Sequence, residues 1–140
     1  MPELRGMEGP PVARPRGSAA VRVLTVDDQA MFRRIAGDVI AATAGFEAVG
    51  EAASGEEALL AVDRLDPQLV LLDVRMPGID GIEVASRLGR THPDTVVVLI
   101  SIDERADVPA AGHLGDGVPF VRKQDFGPRL LRRLWAEYGP

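Results

Sequence analysis

The stretch Val70-Leu71-Leu72-Asp73-Val74-Arg75-Met76-Pro77-Gly78-Ile79-Asp80-Gly81 constrains the fold of this chain more than any other. An unbroken apolar run stops on one carboxylate, and Pro77, Gly78 and Gly81 then force a turn, so the segment reads as a buried strand with an acid at its tip. A carboxylate in that position is unfavourable by roughly several kcal/mol unless cations or hydrogen-bond donors meet it. The chain supplies company for it at Asp27-Asp28 and at Lys123.

The segments on either side repeat one theme. Arg22 to Val26 is β-branched and ends on Asp27-Asp28, and Phe32, Ile35, Ala36, Val39 and Ile40 then follow at helical spacing. Phe46 to Ala52 reads as a second strand. Ser54-Gly-Glu-Glu57 is a capping box opening a helix with Ala58, Ala61, Val62 and Leu65 on one face. Leu69 to Leu72 is strand three, Ile82 to Arg90 helix three, and Val96 to Ile100 strand four, with Phe120 to Arg122 and Gly127 to Tyr138 as the last strand and helix. Strands apolar at every position suit a parallel sheet covered on both faces, and the strand–helix alternation provides the crossovers: a doubly wound α/β fold. The fourth crossover, Arg105 to Val118, is the weakest, because Pro109, Gly112, Gly115 and Gly117 all lower helix propensity.

In such sheets ligands collect beyond the carboxyl ends of the strands. Asp27, Asp28, Asp73, Ser101 and Lys123 each end or follow a strand, so five separated positions converge on one rim. Three carboxylates about 4 Å apart repel by a few kcal/mol per pair at an effective dielectric near 20, so the cluster requires a cation. All-oxygen ligands suit Mg²⁺ or Mn²⁺; zinc is disfavoured, since the only histidines, His92 and His113, lie away from these strand ends. A carboxylate beside a divalent ion and a lysine is suited to attack phosphorus and carry an acyl phosphate, which makes Asp73 the candidate nucleophile. Lys123 stands out because the chain has fifteen arginines and this one lysine.

Composition narrows the function classes. With 140 residues, 46% of them hydrophobic, the chain suits one domain with a full core. A net charge of −5 argues against a direct nucleic-acid partner, and the absence of cysteine removes thiolate chemistry and disulfides together. The longest aliphatic run, Val96 to Ile100, is far too short to insert in a membrane. Residues 1–20 have four prolines and no apolar periodicity, so a disordered tail is expected before a domain spanning 21–140; with no apolar signal-peptide core, cytoplasmic residence is expected.

Four motifs, Leu24-Thr-Val-Asp27-Asp28, Asp73-Val-Arg-Met-Pro-Gly-Ile-Asp-Gly81, Ile100-Ser101 and Phe120-Val-Arg-Lys123, occur in the order and at the spacings of the receiver domain of two-component response regulators, which the chain resembles over about residues 21 to 138. Gly50 to Ala58 is similar to receivers that precede a LuxR-type helix-turn-helix, the nitrate-response subfamily, and with the chain ending at Pro140 a stand-alone receiver is expected. The resemblance implies a flavodoxin-like sheet of strand order 2-1-3-4-5. It implies that Asp73 accepts a phosphoryl group from a histidine kinase, that Asp28, Asp73 and the Arg75 carbonyl bind Mg²⁺, and that Asp27 acts mostly through water. Ser101 and Lys123 would contact the phosphoryl group, and Phe120 would change rotamer. The fourth crossover helix, fifth strand and last helix would then present a face to a downstream protein. Passing the phosphoryl group on to a second histidine, or acting as a phosphate-independent adaptor, are the alternatives.

Such a protein is a phosphoacceptor with slow self-dephosphorylation rather than an enzyme with turnover. A Mg²⁺-dependent aspartyl phosphatase would share the chemistry, but it needs its nucleophile on the first strand and a second acid two residues later. Gln124 replaces the proline that often follows the lysine, which puts the usual cis bond there in question. Arg75 and Asp103 are expected to flank the path of an attacking water and set the acyl-phosphate lifetime. On the last helix Leu130, Leu131, Leu134 and Tyr138 form an apolar stripe, with Trp135 at its edge either covering core or anchoring a partner beside Arg129, Arg132 and Arg133.

Overall fold

The computed structural model describes residues 19–102 and 118–140. Its order is β1 (Val21–Val26), α1 (Ala30–Ala41), β2 (Phe46–Ala52), α2 (Gly55–Leu65), β3 (Leu69–Asp73), α3 (Gly81–Thr91), β4 (Val96–Ser101), β5 (Phe120–Arg122), a 3₁₀ turn (Lys123–Asp125) and α4 (Pro128–Tyr138). The five strands form one sheet in the order β2-β1-β3-β4-β5, every pair parallel, which is the expected flavodoxin-like topology. Among the described residues no helix is long and apolar enough to cross a membrane.

Apolar side chains from β3 divide between two cores, which is why the strand has no polar alternation. Val70 and Leu72 join Leu24, Val26 and Leu99 under α2 and α3, where Ala58, Val62, Val84 and Leu88 meet them. Leu69 and Leu71 join Val23, Val98, Ile100 and Val121 under α1 and α4, against Phe32, Ala36, Ile40, Leu131 and Leu134. The side chains of Leu69 through Leu72 are fully buried, each worth about 1.5–3 kcal/mol of apolar transfer.

Local signals set the ends of the elements. Ser54 Oγ accepts from the Glu57 N–H at 3.1 Å, and Glu57 returns the bond one residue further back than a simple capping box, accepting from the Ala53 N–H at 2.6 Å. Asp80 caps α3 in the same way, accepting from the Glu83 N–H at 2.9 Å. Its Asp-Gly-Ile-Glu pattern carried the same signal in the sequence.

One expectation changes. Ile35 is 48% exposed, so the buried stripe of α1 is the narrower Phe32-Ala36-Ile40 line with Val39 half-buried beside it. α1 packs over β1 and β2, and Ile35 lies off the Phe32-Ala36-Ile40 line that faces them. On α4, Trp135 is half-buried and packs with Leu130 and Tyr138 against the core, while Arg129, Arg132 and Arg133 are exposed. The expected tail up to residue 18 and nearly all of the fourth crossover, 103–117, lie outside the described residues.

Candidate functional site

The parallel register aligns the strand ends into one rim. Val26 pairs with Leu72, and Asp73 pairs with Ile100, so Asp27 and Asp73 emerge side by side and Ser101 stands one residue beyond the partner of Asp73. Beyond β3 the chain turns through Pro77 and Gly78, where Gly78 has a φ of +80°. The turn then closes back on the strand: the Gly81 N–H donates to the Val74 carbonyl at 2.9 Å. A Cβ on Gly81 would lie 2.0 Å from the Asp73 carbonyl oxygen, so only glycine allows α3 to begin this close to the acid.

Adjacent acids take different roles at the end of β1. Asp27 is fully buried and Asp28 is exposed. The Gln29 N–H donates to Asp27 Oδ1 at 2.8 Å, and Arg33 Nη1 donates to the Asp27 carbonyl at 2.7 Å while its Nε pairs with Glu51 at 2.8 Å. Nothing local to Arg33 in the sequence signals these ties, because its partners lie on other segments.

Lys123, from the 3₁₀ turn after β5, enters this acidic rim with only 11% of its side chain exposed. Its Nζ lies 2.6 Å from Asp27 Oδ2 and 3.8 Å from Asp73 Oδ2. The lysine thus rests mainly on Asp27 and only secondarily on Asp73. Apart from this ion pair, Asp27 Oδ2 has no hydrogen-bond partner. The described residues contain no cis peptide bond, so Gln124 follows Lys123 in trans.

Burial, with the Asp27 charge second, pushes the Asp73 carboxyl up to about 7; Lys123 and the Arg75 N–H, which donates to Asp73 Oδ1 at 3.4 Å, pull the other way, and Asp28 adds a smaller upward push. One ammonium therefore does not satisfy the rim. Asp27, Asp28 and Asp73 offer carboxylate oxygens all within 4.8 Å of one another. An all-oxygen set with surplus negative charge, in which the buried Asp27 Oδ2 meets the Lys123 ammonium but has no hydrogen-bond partner, fits a hard divalent cation such as Mg²⁺ or Mn²⁺.

The remaining expected residues divide. Ser101 is buried at the end of β4, on the rim. Phe120 pairs with Leu99 and packs half-buried against the core under α2 and α3. Arg75 is exposed and lines, with Asp28, Met76, Pro77, Asp80 and Ile82, a hollow of about 610 Å³ beside the acids. Asp103 and His113 lie outside the described residues. His92 lies after α3, at the opposite end of the sheet, with Nε2 3.0 Å from Asp63.

The family model described as response regulator receiver domain matches residues 23–133. Response regulator GacA of Pseudomonas protegens is 42% identical over 104 residues, covering 69% of this chain and 49% of that protein. The positive alginate biosynthesis regulatory protein of Pseudomonas aeruginosa is 40% identical over 118 residues, covering 80% of this chain and 46% of that protein. The chain thus spans about half the length of the curated relatives it matches. Among solved structures, the signal receiver domain of NarL from Mycobacterium tuberculosis superposes with a TM-score of 0.74 at 32% identity, covering 86% of this chain and 97% of that one. The response regulator domain of Thermotoga maritima CheB does so with a TM-score of 0.71 at 27% identity, covering 84% and 95%.

Proposed function

The chain belongs to the response regulator receiver family, and from that premise we propose that Asp73 accepts a phosphoryl group from a histidine kinase and that the acyl phosphate switches a binding surface for a downstream protein. The observation that carries this reading is the cluster of Asp27, Asp28 and Asp73 with the Lys123 ammonium inserted between two of them.

In the transfer, an Asp73 carboxylate oxygen bonds to the phosphorus of a phosphohistidine. The P–N bond breaks, and its electron pair returns to the imidazole, which leaves neutral after taking a proton from solvent. Asp28, Asp73 and the Arg75 carbonyl would hold a divalent ion with Asp27 beside them, and such an ion, when bound, offsets charge on the phosphoryl oxygens and favours ionised Asp73. Lys123 would turn toward the new phosphoryl oxygens and Ser101 would donate its hydroxyl to one of them. Phe120, poised half-buried at the start of β5, would follow Ser101 inward, altering the face that β5 and α4 help to form. In this reading Arg75 and Asp103 tune the lifetime of the acyl phosphate.

Intact mass after incubation with acetyl phosphate and Mg²⁺ tests the reading. One phosphoryl addition is expected, lost in Asp73→Asn and lost when the metal is chelated. No addition, while a known receiver labels in parallel, would leave a module controlled by binding alone.

A further inference from the structure

Lys123 is the one lysine of the chain, and its ammonium sits in a recess with three identified walls. Two are the carboxylates of Asp27 and Asp73; the third is the face of the Phe32 ring, whose centroid is 4.8 Å from Nζ. Phe32 is 7% exposed and is braced by Phe126, with ring centroids 6.3 Å apart and planes inclined at 54°. Phe126 belongs to the lysine's own turn, its N–H donating to the Lys123 carbonyl at 3.1 Å. Ring, brace and ammonium thus form one unit across α1 and the segment after β5.

The core alone asks only for an apolar residue at position 32, as Ala36 and Ile40 on the same line of α1 show. An aliphatic side chain there would leave one side of a desolvated ammonium with nothing to offset its lost water. A carboxylate or carbonyl would instead hold it too firmly, as a third resting place. An aromatic face avoids both outcomes, because its quadrupole attracts a cation over a broad area without a directional bond.

We propose that Phe32 is a positioning residue for phosphoryl transfer: its ring face holds the Lys123 ammonium between Asp27 and Asp73 and lets it shift from the first toward the second as negative charge arrives there. The proposal rests on the reading of Asp73 as phosphoacceptor. With 2.6 Å to one carboxylate and 3.8 Å to the other, a displacement of about an ångström exchanges the two while the ammonium stays over the ring.

The test uses the full chain in three forms: wild type, Phe32→Leu, and a chain with 3,4,5-trifluorophenylalanine at position 32, which keeps the ring's shape and empties its negative face. Carbon-13 lysine labelling gives one set of side-chain signals, because Lys123 is the sole lysine. In the metal-free wild type the protons on Cε are expected upfield of free lysine through the ring current, and this shift should vanish in Phe32→Leu. Phosphoryl uptake from acetyl phosphate with Mg²⁺, followed by intact mass, should slow about three- to thirtyfold in both variants. A trifluorophenylalanine chain labelled at the wild-type rate would overturn the role of Phe32, and so would lysine signals that Phe32→Leu leaves unmoved. A wild type with the upfield signals but no phosphoryl uptake would overturn the phosphoacceptor reading itself, and the role in transfer with it.

Discussion

At the amino end of the sheet polar groups meet partners in pairs, whereas at the carboxyl end three carboxylates cluster and one ammonium pairs with two of them, Asp27 and Asp73. Gln68 shows the first arrangement: its side-chain oxygen accepts from the Arg22 N–H at 3.0 Å, its N–H donates to the Arg22 carbonyl at 2.9 Å, and its carbonyl accepts from the Val96 N–H at 3.0 Å. That one residue ties β1, β3 and β4 together where the strands begin. Asp73 shows the second arrangement, with burial and the neighbouring Asp27 charge working against its ionised form. The lesson is that one end is arranged for stability, while the other holds charge in a state that folding alone does not favour. Strain of that kind is expected where a ligand or a modification will later relieve it.

The sharpest attempt to break this contrast is Gly81→Ala, because it shows that the carboxyl end also contains positions of pure steric fit. With its Cβ directed at the Asp73 carbonyl, the variant should lose about 3 kcal/mol in urea unfolding, against a gain if every change at this rim relieved strain.

Asp73→Asn is next, with the opposite sign. Removing the disfavoured charge should stabilise the metal-free protein at pH 8 by about 1–2 kcal/mol, discounted for screening by water at the rim. The pH dependence follows from the direction of the shift. With the folded carboxyl raised from 3.8 to about 7, the folded state binds the extra proton between these values, so metal-free stability should fall as pH rises through that window and level off above it. The Asn variant should lack this decline, and Mg²⁺ should stabilise the wild type more than the variant. Melting curves at pH 4 to 8, with and without the ion, decide it, and a wild type that gains stability across the window would refute the assignment of strain to Asp73.

Gln68→Ala should have the smallest effect and complete the comparison. It removes one side-chain hydrogen bond to β1, should lower stability by about 1 kcal/mol, and should leave the rate of phosphoryl uptake unchanged. A change in uptake larger than twofold would show that the two ends are coupled through the strands.

Much of this architecture was legible because its signals are local. The strand at Leu69–Leu72, the Ser54 cap and the turn at Pro77-Gly78 follow from neighbours within a few residues. The exposure of Ile35 was not legible, since spacing alone does not reveal how wide a strip of sheet a helix covers. The candidate site divides along the same line. That Asp27, Asp28, Asp73, Ser101 and Lys123 share one rim follows from their positions at strand ends in a parallel fold. Their pairing does not.

Neighbouring residues along the chain therefore specify the alternation of strands and helices, the continuous apolar strands that demand cover on both faces, and the placement of acids, hydroxyl and lysine at strand ends. Folding in three dimensions adds that Asp27 is buried while Asp28 is exposed, that Lys123 rests on Asp27 before Asp73, and that a phenylalanine from α1 lies under the ammonium. Periodicity and turn chemistry depend on residues adjacent in the chain, but the partner of a charge depends on register and crossover packing, where a shift of about an ångström changes which oxygen it meets.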